Sequence, residues 1–142
     1  MREIIEVLAL VVAGPMVGVE ISVGAFANTI FGRLPDASFR QARSDASRVL
    51  GRAMPFWYIA ALVLLITAAA VTWPNWLLVA SAAVMAVVVL MTVTVMVPIN
   101  NRIGSWTDAS DRDLARRWDR LHWLRIILLL VMVVLLAVGV TK

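Results

Sequence analysis

The chain contains no cysteine, which excludes disulfide frameworks, thiolate metal sites and cysteine nucleophiles. The redox compartment stays open, since an absent cysteine fits either side of a membrane. Charge is scarce: 15% of the 142 residues are Asp, Glu, Lys or Arg, where a soluble domain carries roughly 25%. Lysine is confined to Lys142 and histidine to His122. A closed structural metal site wants about four ligands, and one histidine without cysteine does not suit it.

What fills the chain instead is apolar. Such residues make up 62% of it, against about 45–50% in a soluble domain. A soluble fold of this length has too little interior to hide them, so lipid must be the solvent for much of the surface. The apolar runs predict spans at about 5–30, 55–73, 76–100 and 119–141, each close to the roughly 20 residues a spanning helix needs. Backbone groups in lipid must be satisfied within their own segment, which selects helices. The expected fold is therefore all-α: one domain, 1–142, forming a transmembrane four-helix bundle. Ala25-Phe26-Ala27 resembles a cleavage site for a secretory leader. The leader reads Arg2, Glu3 and Glu6, which is not a basic n-region, so the first run is expected to be a retained span.

Net charge is +4, nearly all of it arginine. Arg33, Arg40, Arg43, Arg48 and Arg52 lie between the first two spans, and Arg102, Arg112, Arg116, Arg117 and Arg120 between the last two. The turn Trp73-Pro74-Asn75-Trp76 has none. This asymmetry predicts a cell-membrane protein with both arginine-rich loops in the cytoplasm and both termini outside. The arginines flank spans and no free basic domain exists, so nucleic acid is not an expected partner. Phe56, Trp57, Tyr58, Trp73, Trp76, Trp118 and Trp123 fall where aromatic interface anchors belong.

The loops read as short amphipathic helices on the cytoplasmic surface, their arginines reaching phosphates. One covers 37–51 with Ser38 as a possible N-cap. The other covers 108–120, with Asp108 or Ser110 as cap and Asp111 and Asp113 in its first turn, running on into the fourth span.

Ionisable residues inside spans are rare and are functional candidates. Glu20 lies inside the first span and must be protonated, paired with an arginine, or turned to a wet cavity. Glu20, Gly24 and Asn28 share one helix face, and Gly14 and Gly18 form a GxxxG motif that favours close helix approach. Asn100 and Asn101 end the third span, as caps or as cavity-facing amides. Trp118, His122 and Arg125 share a face at the start of the fourth, and Arg125 sits too deep to face lipid cheaply. These groups converge on one half of the bundle, a normal place for a ligand site. One histidine with a carboxylate and an arginine suits proton transfer and anion stabilisation.

The segment Val97-Pro98-Ile99-Asn100-Asn101-Arg102-Ile103, followed by Trp106, Arg117-Trp118 and His122-Trp123-Leu124-Arg125, resembles the anthrone oxygenase-like family of small four-helix membrane proteins. The first span and Leu34-Pro35 with Phe39 agree more loosely. The resemblance implies oxidation of a flat, apolar phenolic substrate by dioxygen. An anthrone has a C–H made acidic by its carbonyl. His122 would then be the base, Arg125 with Asn100 and Asn101 would stabilise an oxyanion, and Glu20 would orient the histidine. Trp106 and Trp118 would stack on the substrate, with Asn28 beside it. Two other readings stay open: a redox protein with haem on His122, and a non-enzymatic lipid-binding or assembly subunit in which His122, Trp118 and Arg125 only anchor the fourth span. A bundle of this size could also form a homo-oligomer.

Overall fold

The computed structural model describes residues 1–107 and 111–142. Within them the chain is four long helices: α1 Arg2–Gly32, α2 Asp36–Val71, α3 Trp76–Gly104 and α4 Arg112–Val140. All four are long and apolar enough to cross a membrane, so this is a multi-pass membrane protein. Each helix packs on its neighbours in sequence and α4 closes back on α1, giving an antiparallel ring with every arginine except Arg2 towards one end.

The separate surface helix expected at 37–51 is absent from the described residues. Residues 37–51 are the first turns of α2, which begins at Asp36 and runs unbroken to Val71. Ser38 lies inside the first turn, and Pro35 occupies the N-cap position in an extended conformation without a side-chain cap. The physical reason is continuity of propensity: alanine, glutamine, arginine and leucine lead into the span. Pro55 does not stop the helix, though it removes the N–H that would have met the Gly51 carbonyl. The second segment, from Arg112, runs on into the fourth span as α4, as its sequence predicts. Asp111 caps α4, its carboxylate accepting from the Leu114 N–H at 2.8 Å. The expected caps Asp108 and Ser110 lie outside the described residues.

Two π-helical turns interrupt the regular ladder, Val23–Ala27 in α1 and Thr92–Met96 in α3. Each adds a residue to one turn and rotates the downstream part of its helix, a feature frequent at functional sites.

Away from the arginine-rich end the interior is small and tightly fitted. Ala9, Ala13, Met16, Ala61, Leu65, Leu78, Met85 and Met132 are buried together. Lipid is as apolar as these side chains, so association rests on close packing and interhelical hydrogen bonds. Three such bonds are spread along the bundle. Ser81 donates to the Met132 carbonyl at 3.0 Å, Asn75 to the Gly139 carbonyl at 2.9 Å, and the Trp57 indole to the Val12 carbonyl at 2.8 Å. The GxxxG pair does not serve packing within the chain: Gly14 and Gly18 face outward, with nothing within 4 Å of where a Cβ would stand.

Candidate functional site

Four polar side chains meet where α1, α2 and α4 come together. Glu20 on α1 is 2% exposed, Tyr58 on α2 3%, and His122 on α4 0%. Arg125, one turn further along α4, is also buried. The Arg125 Nη2 donates to Glu20 Oε2 at 2.7 Å. The Tyr58 hydroxyl donates to the other oxygen, Glu20 Oε1. A buried carboxylate is thus met by one cation and one neutral donor, as burial of a charge demands.

His122 reaches the same residue by two routes. Its Nε2 lies 2.9 Å from the Glu20 carbonyl oxygen, and its Nδ1 lies 3.3 Å from Glu20 Oε2. A carbonyl only accepts, so Nε2 carries the hydrogen. In the neutral ring Nδ1 is then an acceptor, and it receives Arg125 Nη2 at 2.9 Å. The Trp118 indole lies over the imidazole at 4.7 Å between centroids and 13° from parallel. Gly24 admits this geometry. It falls in the first π-helical turn, and a Cβ there would stand 2.8 Å from Ile126 Cδ1 and 3.2 Å from His122 Cδ2.

Beside the cluster lies a cavity of about 590 Å³, within the usual range for small-molecule sites. Its walls are mostly apolar, with Val19, Val23, Met54, Val89 and Met96 among the lining. Glu20, Tyr58, Trp118, His122 and Arg125 line it as well. Asn100 and Asn101 also line it, and Asn100 is anchored by donating to the Ser47 carbonyl at 3.0 Å. Gly51 makes room for that amide, since a Cβ would stand 2.8 Å from Asn100 Nδ2. Of the sequence candidates, six therefore share the cavity: Glu20, Asn100, Asn101, Trp118, His122 and Arg125.

Asn28 and Trp106 are not among the cavity's lining. Asn28 accepts from Arg43 Nη1 at 2.6 Å, and Trp106 packs against Phe39 at 6.2 Å between centroids. Arg43 itself departs from expectation. It is buried, donating also to Asp119 at 2.9 Å and lying 5.2 Å from the centroid of the Trp118 ring. Sequence places Arg43 at lipid phosphates and Tyr58 in the aromatic belt; in the structure both turn inward. The inward face of α2 carries Tyr58, Ala61, Leu65 and Ala68 at helical spacing, and that pattern is the available signal for Tyr58.

Haem ligation fits poorly, because both nitrogens of His122 are already hydrogen-bonded and one ring face lies under Trp118. Among the described residues no group of three His, Asp or Glu is placed to hold a metal ion.

A polytopic helical bundle with a buried acid–base cluster opening on an apolar cavity is the class of protein these features define. Within that class, the family model for anthrone oxygenase matches residues 45–135, and the chain belongs to this family. No curated protein and no solved structure matches the chain. The matched segment contains Tyr58, Trp118, His122 and Arg125, while Glu20 lies upstream of it.

Proposed function

We propose that this protein is a membrane oxygenase that oxidises a flat, apolar aromatic or phenolic substrate of the anthrone type with dioxygen. The observation that carries this reading is the shared boundary of an apolar cavity and a buried His–Glu–Arg–Tyr cluster in a chain of the anthrone oxygenase family. The ring of the substrate occupies the cavity, with its activated CH₂ towards the cluster.

The cluster's hydrogen bonds suggest an order of events. Arg125 first leaves His122 Nδ1 for the substrate carbonyl oxygen, and the freed Nδ1 takes a proton from the acidic C–H, leaving a delocalised anion. The resulting imidazolium has Glu20 Oε2 as counterion, 3.3 Å away. Protonated Nδ1 can no longer accept from Arg125, so that guanidinium stays on the substrate oxyanion. Arg125 is ready for this, since its Nε has no partner. The anion transfers electrons to dioxygen and a C–O bond forms, giving a peroxide that His122 reprotonates to a hydroperoxide. Loss of the second C–H proton and cleavage of the O–O bond release water and leave a new carbonyl. One CH₂ and one O₂ become one C=O and one H₂O, with no external reductant. Asn100, fixed against Ser47, holds the ring edge.

The arginine-rich end faces the cytoplasm in this reading and the protein resides in the cell membrane, which arginine asymmetry supports. The test is oxygen uptake by purified protein supplied with anthrone, with a stoichiometry of one O₂ per anthrone molecule. His122→Ala is expected to lower the rate by about 100-fold or more, the usual worth of a positioned base. A wild-type preparation that adds nothing to spontaneous oxidation, or a mutant of unchanged rate, would overturn the proposal.

A further inference from the structure

The charges lining the cavity are unevenly placed. Glu20, its acid, lies at the deep end with Arg125 directly on it at 2.7 Å. Arg48 and Arg52 line the other end, and no other acidic residue joins them in the lining. Arg48 is partly engaged, donating to the Gly104 carbonyl at 2.9 Å and lying 3.5 Å from Asp45. Arg52 is exposed and has no ion pair among the described residues. Exposed Asn101 lines the same end from α3, and Ile59 and Val93, 57% and 60% exposed, line the wall nearer the lipid.

The cavity is therefore an amphiphile's shape in relief: buried cluster, apolar walls, cationic rim. We infer that Arg52, assisted by Arg48 and Asn101, forms an anion subsite, and that the cavity takes an aromatic ligand carrying an anionic oxygen group at the edge away from Glu20. Tyr58 lies six positions after Arg52, about 9 Å along α2, so a rigid fused-ring ligand reaches both. A cation beside a semi-apolar mouth is worth more than one in bulk water, because its partner exchanges less hydration. This inference rests on the proposed use of the cavity for a flat aromatic ligand, and it does not depend on the reaction.

The same anionic chemistry could come from the ligand itself or from a phospholipid headgroup at the rim, and the experiment separates them. Purified protein in phosphatidylcholine nanodiscs, with empty nanodiscs as blank, is titrated with anthracene-2-carboxylate and with 2-methylanthracene. Neither probe has the acidic CH₂ that the proposed reaction needs, so binding is read without turnover. The carboxylate is expected to bind about 10-fold more tightly, the equivalent of a charge-assisted hydrogen bond of modest strength. Arg52→Gln should remove most of that preference, while Arg52→Lys should retain at least part of it. The methyl probe should move less than twofold in either variant, which also reports that the cavity is intact. If phosphatidylglycerol weakens carboxylate binding in wild type and not in Arg52→Gln, a lipid headgroup shares the subsite. If it has no effect, the subsite serves the soluble ligand alone. Equal affinities for the two probes in wild type, or equal losses for both in Arg52→Gln, would overturn the inference. Carboxylate preference in a protein that consumes no oxygen with anthrone would leave the anion subsite standing and remove the oxygenase reading.

Discussion

Arg125 Nη2 stands between two acceptors, 2.7 Å from Glu20 Oε2 and 2.9 Å from His122 Nδ1. One guanidinium nitrogen thus ties the carboxylate to the imidazole and fixes the tautomer of the latter. Because Nε2 is held by the Glu20 backbone, Nδ1 is the nitrogen left to take a proton.

This relationship predicts strong coupling between Glu20 and Arg125. Either Glu20→Gln or Arg125→Gln leaves a buried charge without its counterion, a loss of about 3–5 kcal/mol. The double variant removes both charges and should be less destabilised than the sum of the singles. Thermal unfolding in detergent, arranged as a double-mutant cycle, measures this; simple additivity would show the pair to be energetically idle.

Gly24→Ala should act on the site through space alone. The new methyl meets Ile126 and His122, and overpacking of this kind costs about 1–3 kcal/mol. Gly139→Ala presses on Leu78 at the far end of the bundle, with a Cβ 2.9 Å from Leu78 Cδ2. The two should lower Tm comparably, while ligand affinity and oxygen uptake fall only for Gly24→Ala. Gly18→Ala, with open space around its Cβ, serves as a control with Tm unchanged.

Ser81→Ala removes one interhelical hydrogen bond, to the Met132 carbonyl, without touching the cavity. Bonds of this type in membrane bundles average about 0.6 kcal/mol. A small drop in Tm with ligand binding intact is the expected result, and loss of binding would show that the two ends of the bundle communicate.

The absence of cysteine makes orientation simple to test. Ser38→Cys and Thr141→Cys place single exposed thiols near opposite ends of the chain's spans. A membrane-impermeant maleimide applied to intact cells should label Thr141→Cys and spare Ser38→Cys until the cells are lysed. The reverse pattern would invert the topology.

The four helices and much of the site are legible in the sequence, for identifiable reasons. Span length follows from bilayer thickness, and an ionisable residue within an apolar run stands out whatever it touches. Glu20, His122 and Arg125 are visible on those grounds. Their mutual geometry is not, because it depends on which face of α1 meets which face of α4, and the π-helical turn at Val23–Ala27 rotates that face. Arg43 is hidden for a different reason. It belongs to a run of similar arginines, and its burial is set by Asn28 and Asp119, residues far away in the chain. A separate surface helix at 37–51 is the wrong expectation because polarity marks where a helix leaves lipid, which differs from where it ends.

Glu20, Tyr58 and the pair on α4 belong to three different helices, so the polar cluster is also a clasp. The helices of the ring touch mainly their immediate neighbours, and at this end the clasp ties α1 to both flanking partners, beside the Arg43–Asn28 bond to α2. Under the proposed function, damage there registers twice, as lost chemistry and as a loosened scaffold. Screens that score only turnover at these positions will confuse a disarmed site with an undone bundle.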